Sequence, residues 1–130
     1  MFKQSFKVRD YELDMQGIVN NGVYFNYFEH ARHEFLHSHG VDFAALAEQG
    51  INLVVIRSEI DFKTSLRSGD AFDVEVSLER MGRIKFGFRQ RIVKANGDVC
   101  AQALVVGAAV NPKGRPFAFD GLDSLFSEES

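Results

Sequence analysis

The chain has 130 residues, 45% hydrophobic and 25% charged, with 13 Phe, no Trp and 2 Pro, which suits one domain whose core needs no metal or disulfide staple. A formal net charge of -3 argues against a nucleic-acid partner bound by phosphate neutralisation. The lone Cys100 excludes an intrachain disulfide framework and suits a reducing compartment. No apolar run reaches the roughly 18 residues of a membrane-spanning helix, and Met1–Asp10 is too polar and short for a signal peptide. The expectation is a single cytoplasmic globular domain over 1–130, with about 124–130 as a flexible tail.

Phe2–Val8 alternates loosely between apolar and polar and predicts a short strand. Gly17, Asn20 and Asn21 mark Asp10–Asn21 as a loop. Tyr24, Tyr27, Phe28, Ala31, Phe35 and Leu36 then recur at helical spacing and predict a long helix over Gly22–His39. Asn20 or Asn21 suits its N-cap, and Gly40 suits a left-handed residue just past its end. A shorter helix is expected over Asp42–Glu48, stopped at Gly50.

After Gly50 the period changes to two and predicts strands at about Asn52–Ser65, Ala71–Arg80, Ile84–Lys94 and Val99–Val110. A three-residue turn, Met81-Gly82-Arg83, would set Glu79 opposite Lys85, Glu75 opposite Arg89 and Asp73 opposite Arg91. Asn96-Gly97 is a strong hairpin signal, because both positions accept positive φ. Beyond it, Ala101, Ala103, Val105, Gly107 and Ala109 share one face. Side chains that small let a helix approach closely. The fold expected is α+β, an antiparallel sheet curled around one long helix. Val93, Leu104, Val106 and Ala108 fall on the opposite face, part of which is expected to be covered by another subunit.

The residues with chemical potential cluster before and within the helix. Asp14 sits in a turn just ahead of free N–H groups at about Asn21 to Tyr24, which carry partial positive charge. Such donors can hold a carbonyl oxygen as it becomes an oxyanion, while the carboxylate acts as base or nucleophile. The same spacing also fits an Asp14 that only caps a turn. His33-Glu34-x-x-His37 places two His on one helix face, a zinc-hydrolase pattern. The extended form of that pattern wants a ligand where Phe43 stands. Glu29 and Arg32 are spaced to pair at i, i+3. Cys100, without a neighbouring base, reads as a packed thiol on the less buried strand face.

The pattern D-x-x-G-x-V-x-N-x-x-Y-x-x-x-x-E-x-A-R runs through Asp14, Gly17, Val19, Asn21, Tyr24, Glu29, Ala31 and Arg32. It resembles the signature of hotdog-fold acyl-CoA thioesterases of the 4-hydroxybenzoyl-CoA thioesterase type. Glu59 to Asp70 is similar to that family's strand leading into a Gly-Asp turn, and the resemblance extends to about Pro112. It implies a five-stranded sheet wrapped around the central helix and a homodimer formed through the strand after the helix. Two thioester sites would be shared between subunits, and pairing of dimers into tetramers stays open. It also implies Asp14 as the catalytic carboxylate, with neither metal nor cofactor.

On this resemblance the backbone near Asn21 and Gly22 would hold the thioester oxygen, and Asn20, Asn21 and Tyr24 would line the pocket. The substrate implied is an acyl-CoA, with acyl carrier protein as the other possible carrier. Lys63, Arg67, Arg83, Lys85, Arg89, Arg91, Lys113 and Arg115 are candidates for the coenzyme A phosphates, or solvated charges pairing with Glu75 and Glu79. The chain departs from the family at Glu12, where many relatives carry Asp, and at Asn20-Asn21, where Tyr-His is common. Ile18 stands where the plant-type acyl-carrier-protein thioesterases, which share V-N-N, carry His. The function expected is acyl-thioester hydrolysis. The alternatives are a non-catalytic acyl-thioester-binding module and, behind it, the zinc hydrolase.

Overall fold

In the computed structural model, which describes residues 1–126, one long helix packs against an antiparallel sheet. The elements are β1 (Phe2–Lys7), α1 (Asn21–Ser38), α2 (Phe43–Glu48), β2 (Asn52–Phe62), β3 (Ala71–Arg80), β4 (Lys85–Lys94), β5 (Val99–Val110) and a short β6 (Pro116–Phe117). The sheet order is β1-β3-β4-β5-β2, with β6 added beside β5. This is the hotdog arrangement, and it leaves β2 as an edge strand. No helix among the described residues is long and apolar enough to cross a membrane.

Tyr27, Phe28, Ala31, Phe35 and Leu36 of α1 are buried, as the helical spacing predicts. The small stripe Ala101, Ala103, Val105, Gly107 and Ala109 of β5 is buried too, but α1 lies nearest β3 and β1 rather than this stripe, a correction to the expected close approach. Gly107 shows why that stripe stays small. A Cβ there would lie 2.6 Å from the Phe86 ring, so even alanine would force the ring to move. Asn20 caps α1, and Gly40, at φ 80°, follows its end.

Several expectations shift in register or orientation. Glu75 faces Arg91 and Ser77 faces Arg89, so the β3–β4 pairing is offset by two residues from the charge-matched one. Glu75 accepts from Arg91 at 2.8 Å, and Glu79 reaches Arg89 diagonally at 2.9 Å. A two-residue offset leaves every side chain on its face, so the buried set is unchanged and the core tolerates either register. In the β4–β5 turn only Gly97 takes positive φ, not Asn96. Lys94 accepts from Gly97 N–H and donates to Asp98, the three-residue loop in which a glycine makes the bulge.

A second irregularity, between Ile92 and Val93, leaves Cys100 as the extra residue and carries it into the core, with 0% exposure, rather than onto the open face. The Cys100 carbonyl accepts from both Lys63 and Thr64 N–H, ending β2 at Phe62 instead of Ser65. Val106 and Ala108, expected to await another subunit, are buried within the single chain. Of the expected tail, Ser124 is exposed, but Leu125 and Phe126 pack against the core, with Arg80 over the Phe126 ring and paired with Asp123. The rest of the expected tail, 127–130, lies outside the described residues.

Candidate active site

The loop between β1 and α1 is fastened at both ends. Val8 N–H donates to the Asp70 carbonyl and Val19 N–H to the Leu66 carbonyl, and Ile18 bridges Arg67. Within the loop, Asp14 N–H donates to the Ile18 carbonyl at 2.8 Å, and Gly17 supplies the left-handed corner at φ 76°. The Asp14 carboxylate is exposed. Its Oδ1 accepts from Gln16 N–H at 2.8 Å and Ile18 N–H at 3.4 Å, and its Oδ2 has no hydrogen-bond partner among the described residues. One oxygen holds the turn while the other stays available.

Glu12 locks this loop to the helix. Its buried carboxylate accepts from the Tyr27 hydroxyl at 2.7 Å and Arg9 N–H at 2.8 Å, with the Arg9 guanidinium at 3.5 Å. Burial, and then the hydrogen bond to Glu12, raise the Tyr27 pKa well above that of an ordinary phenol. The Glu12 carbonyl also accepts from Asn20 N–H. The sequence marks Glu12 only as a departure from the family, because its partner Tyr27 lies 15 positions away. Removing the acceptor strands a buried hydroxyl. Glu12→Ala is expected to lower stability by about 1–3 kcal/mol, read from the urea midpoint, and Glu12→Gln should recover most of it. Equal loss in both variants would show that the acceptor is not what matters.

At the helix start, Asn20 Oδ1 accepts from Gly22 N–H at 2.9 Å and the Asn20 carbonyl accepts from Val23 N–H. Gly22 N–H is therefore committed to the cap, and Asn21 N–H is the donor of this turn without a partner among the described residues. Tyr24 is buried, and its hydroxyl accepts from Leu66 N–H at 3.1 Å. Desolvation is the main cause of its raised pKa. Asn21 and Tyr24 line a cleft of about 140 Å³ with Ile18, Phe62, Lys63 and Thr64. Asp14 lies in the adjoining loop, outside the cleft wall, and Asn20 is spent on the cap.

A second cleft, about 350 Å³, lies along the other half of α1. Arg32 and Leu36 from α1, Leu53 to Val55 from β2, and Phe86 and Phe88 from β4 form its walls. Here the sequence reading misses a contact. Arg32 does not pair with Glu29 but donates to Gln90 Oε1 at 3.1 Å, and Gln90 donates to the Phe28 carbonyl at 2.9 Å. Gln90 occupies an apolar-facing strand position and is 1% exposed, so only the fold brings it to α1.

The basic candidates separate. Arg89 and Arg91 are paired with Glu79 and Glu75. Lys63 lines the smaller cleft and Arg67 bridges Ile18 of the Asp14 loop. Arg83 lies in the β3–β4 turn, Lys85 begins β4, and Lys113 and Arg115 flank the β5–β6 turn, at different places in the fold. In the His33-Glu34-x-x-His37 stretch, His33 packs edge-on against Phe43 and Glu34 approaches His30 at 3.9 Å. Among the described residues, no group of three or more His, Cys, Asp or Glu is placed to hold a metal ion.

Residues 8–123 match the thioesterase-like superfamily. The chain is 39% identical over 111 residues to a chloroplastic acyl-acyl carrier protein thioesterase of Arabidopsis thaliana, covering 85% of this chain and 58% of that protein. It therefore spans little more than half the length of that relative. It is 26% identical over 112 residues to an acyl-CoA thioester hydrolase of Escherichia coli, covering 86% of this chain and 84% of that one. The crystal structure of a hypothetical protein from Aquifex aeolicus superposes with a TM-score of 0.87 at 31% identity, covering 96% of this chain and 99% of that one. Sheet order, central helix and sequence agree, and the chain belongs to the thioesterase-like superfamily of hotdog proteins.

Proposed function

We propose that this protein is a thioester hydrolase of the 4-hydroxybenzoyl-CoA thioesterase type, which releases a carboxylic acid from coenzyme A or acyl carrier protein. The observation that carries the reading is the free Oδ2 of Asp14, in the loop that Glu12 ties to α1 and that leads into the unpartnered Asn21 N–H. As a base, Asp14 takes a proton from water while the water oxygen attacks the thioester carbon. Asn21 N–H and the helix start hold the developing oxyanion. Collapse of the tetrahedral intermediate breaks the C–S bond, and the departing thiolate recovers the proton. As a nucleophile, Asp14 would form a mixed anhydride that water then opens. Neither route needs a metal or cofactor.

Two subunits complete the site in this reading. Val54, Val55, Ile56 and Phe62 are exposed on edge strand β2, an edge that would aggregate if left uncovered. A two-fold pairing of β2 with its mate covers it. The smaller cleft uses the end of β2 and the larger its beginning. Antiparallel pairing sets each end beside the opposite end of the mate, so each small cleft adjoins the other subunit's large one. The thioester would sit in the first and the acyl group in the second. A cytoplasmic location, suited to a reduced Cys100, belongs to the same proposal.

A thiol-release assay over short, long and aromatic acyl-CoAs and acyl carrier protein thioesters tests the activity. Turnover of at least one class is expected. Tight binding without turnover of any would favour a binding module, a reading that the turn-holding hydrogen bonds of Asp14 Oδ1 support. Chelation should leave the rate unchanged, and His37→Ala, which removes one of the two spaced ligands at a residue outside both clefts, should change it less than about threefold. Activity lost on chelation and restored by zinc would transfer the assignment to the zinc pattern.

A further inference from the structure

Arg32 is 9% exposed, yet its guanidinium has one hydrogen-bond acceptor among the described residues, the neutral Oε1 of Gln90. Glu29, one helical turn earlier, acts on it only through space. Gln90 is held rigidly by its bond to Phe28, and the guanidinium lies 6.0 Å above the Phe88 ring. Arginine offers five N–H donors in a planar fork. One donor is directed at Gln90, and Arg32 lines the larger cleft with Leu36, Leu53, Phe86 and Phe88, the exposed Glu29 and His33 completing that part of its wall. A buried cation without an anionic partner is costly, and an apolar residue of similar size packs such a site at least as well. As a tie between α1 and β4, Arg32 is a poor choice. As a recognition group on the floor of an apolar cleft, it is a good one.

We propose that Arg32 is a specificity-determining residue that selects acyl groups bearing an acceptor oxygen, hydroxyl or carboxylate, at the end remote from the thioester. The inference rests on the thioester hydrolase reading and on the larger cleft receiving the acyl group. The aromatic and aliphatic walls take the hydrocarbon, and the guanidinium fork takes the terminal oxygen. Glu29 also lines this cleft but is exposed, so its charge is in water while that of Arg32 is buried.

The test compares kcat/KM for acyl-CoAs matched in chain length and ending in methyl, hydroxyl or carboxylate, over a series of lengths. The wild type should favour one of the oxygenated arms by at least about tenfold at the best length, the range expected for a charged hydrogen bond. Arg32→Met should bring the ratio between the oxygenated and methyl arms to within about twofold of unity, and keep or raise the melting temperature. Gln90→Glu, which gives Arg32 an internal carboxylate and gives up the bond donated to the Phe28 carbonyl, should also abolish the preference and covers a failure of Arg32→Met to fold. A wild type without preference, a preference that survives in Arg32→Met, or an equal loss on every arm with a lowered melting temperature would overturn the proposal. If no thioester turns over, the hydrolase reading fails on its own. Calorimetry with the same acyl-CoAs, then bound without being consumed, decides the Arg32 proposal. Tighter binding of an oxygenated acyl-CoA by the wild type but not by Arg32→Met supports it, and equal binding overturns it.

Discussion

Asp14→Asn is expected to lower kcat by at least about 10²-fold, since general-base help alone is typically worth 10²–10⁴-fold and a lost nucleophile costs more. The substitution keeps the shape of the turn. The Oδ1 that accepts from Gln16 and Ile18 N–H is replaced by an amide oxygen that accepts equally well, so the melting temperature should hardly move. What is lost is the charge on Oδ2, the atom the turn leaves unused. Asn21→Ala should be milder, because the backbone N–H proposed to hold the oxyanion remains in place. If Asp14 only secures the turn, Asn serves nearly as well and turnover survives. Near-normal kcat in Asp14→Asn would therefore remove Asp14 from the chemistry and favour the binding module.

The second large effect is expected at β2. Ile56 is 49% exposed in the single chain and sits beside the register shift between Val55 and Arg57, so an aspartate there costs an isolated subunit little. In a two-fold β2 pairing the same residue enters the interface twice and places two carboxylates in apolar surroundings. An uncompensated buried charge costs several kcal/mol, which raises the dimer dissociation constant on the order of 10³-fold. Ile56→Asp should sediment as a monomer at micromolar concentration where the wild type is a dimer. Because each thioester site would borrow the mate's acyl cleft, kcat/KM should fall at least about tenfold with it. A monomeric wild type, or a monomeric Ile56→Asp variant with full activity, would refute the shared site.

The sequence by itself determined what depends on local periodicity and composition. The buried positions of α1 recur at helical spacing and its cap is an Asn, whereas the small stripe from Ala101 to Ala109 is buried without drawing the helix onto it, since α1 lies nearest β3 and β1. Register was another matter. A shift of two residues keeps every β3 and β4 side chain on its face, so hydrophobic pattern cannot choose between alternatives, and charge matching chose the neighbouring one. Cys100 looked exposed because strict alternation was carried through a bulge, and one extra residue reverses the facing of whatever it displaces.

The site shows the same division. Asp14, Asn21 and Tyr24 can be proposed from the sequence because they crowd one short stretch around a helix start. Glu12–Tyr27 and Arg32–Gln90 were not, since each joins residues distant in sequence across a buried gap. A side chain's hydrogen-bond partner is decided by which polar atoms the packed core leaves within reach. Helical spacing offers Glu29 to Arg32, but Glu29 stays in water while Gln90 is fixed where the buried guanidinium must find an acceptor. Local pattern places a residue on its element and face, and only tertiary packing assigns its partner.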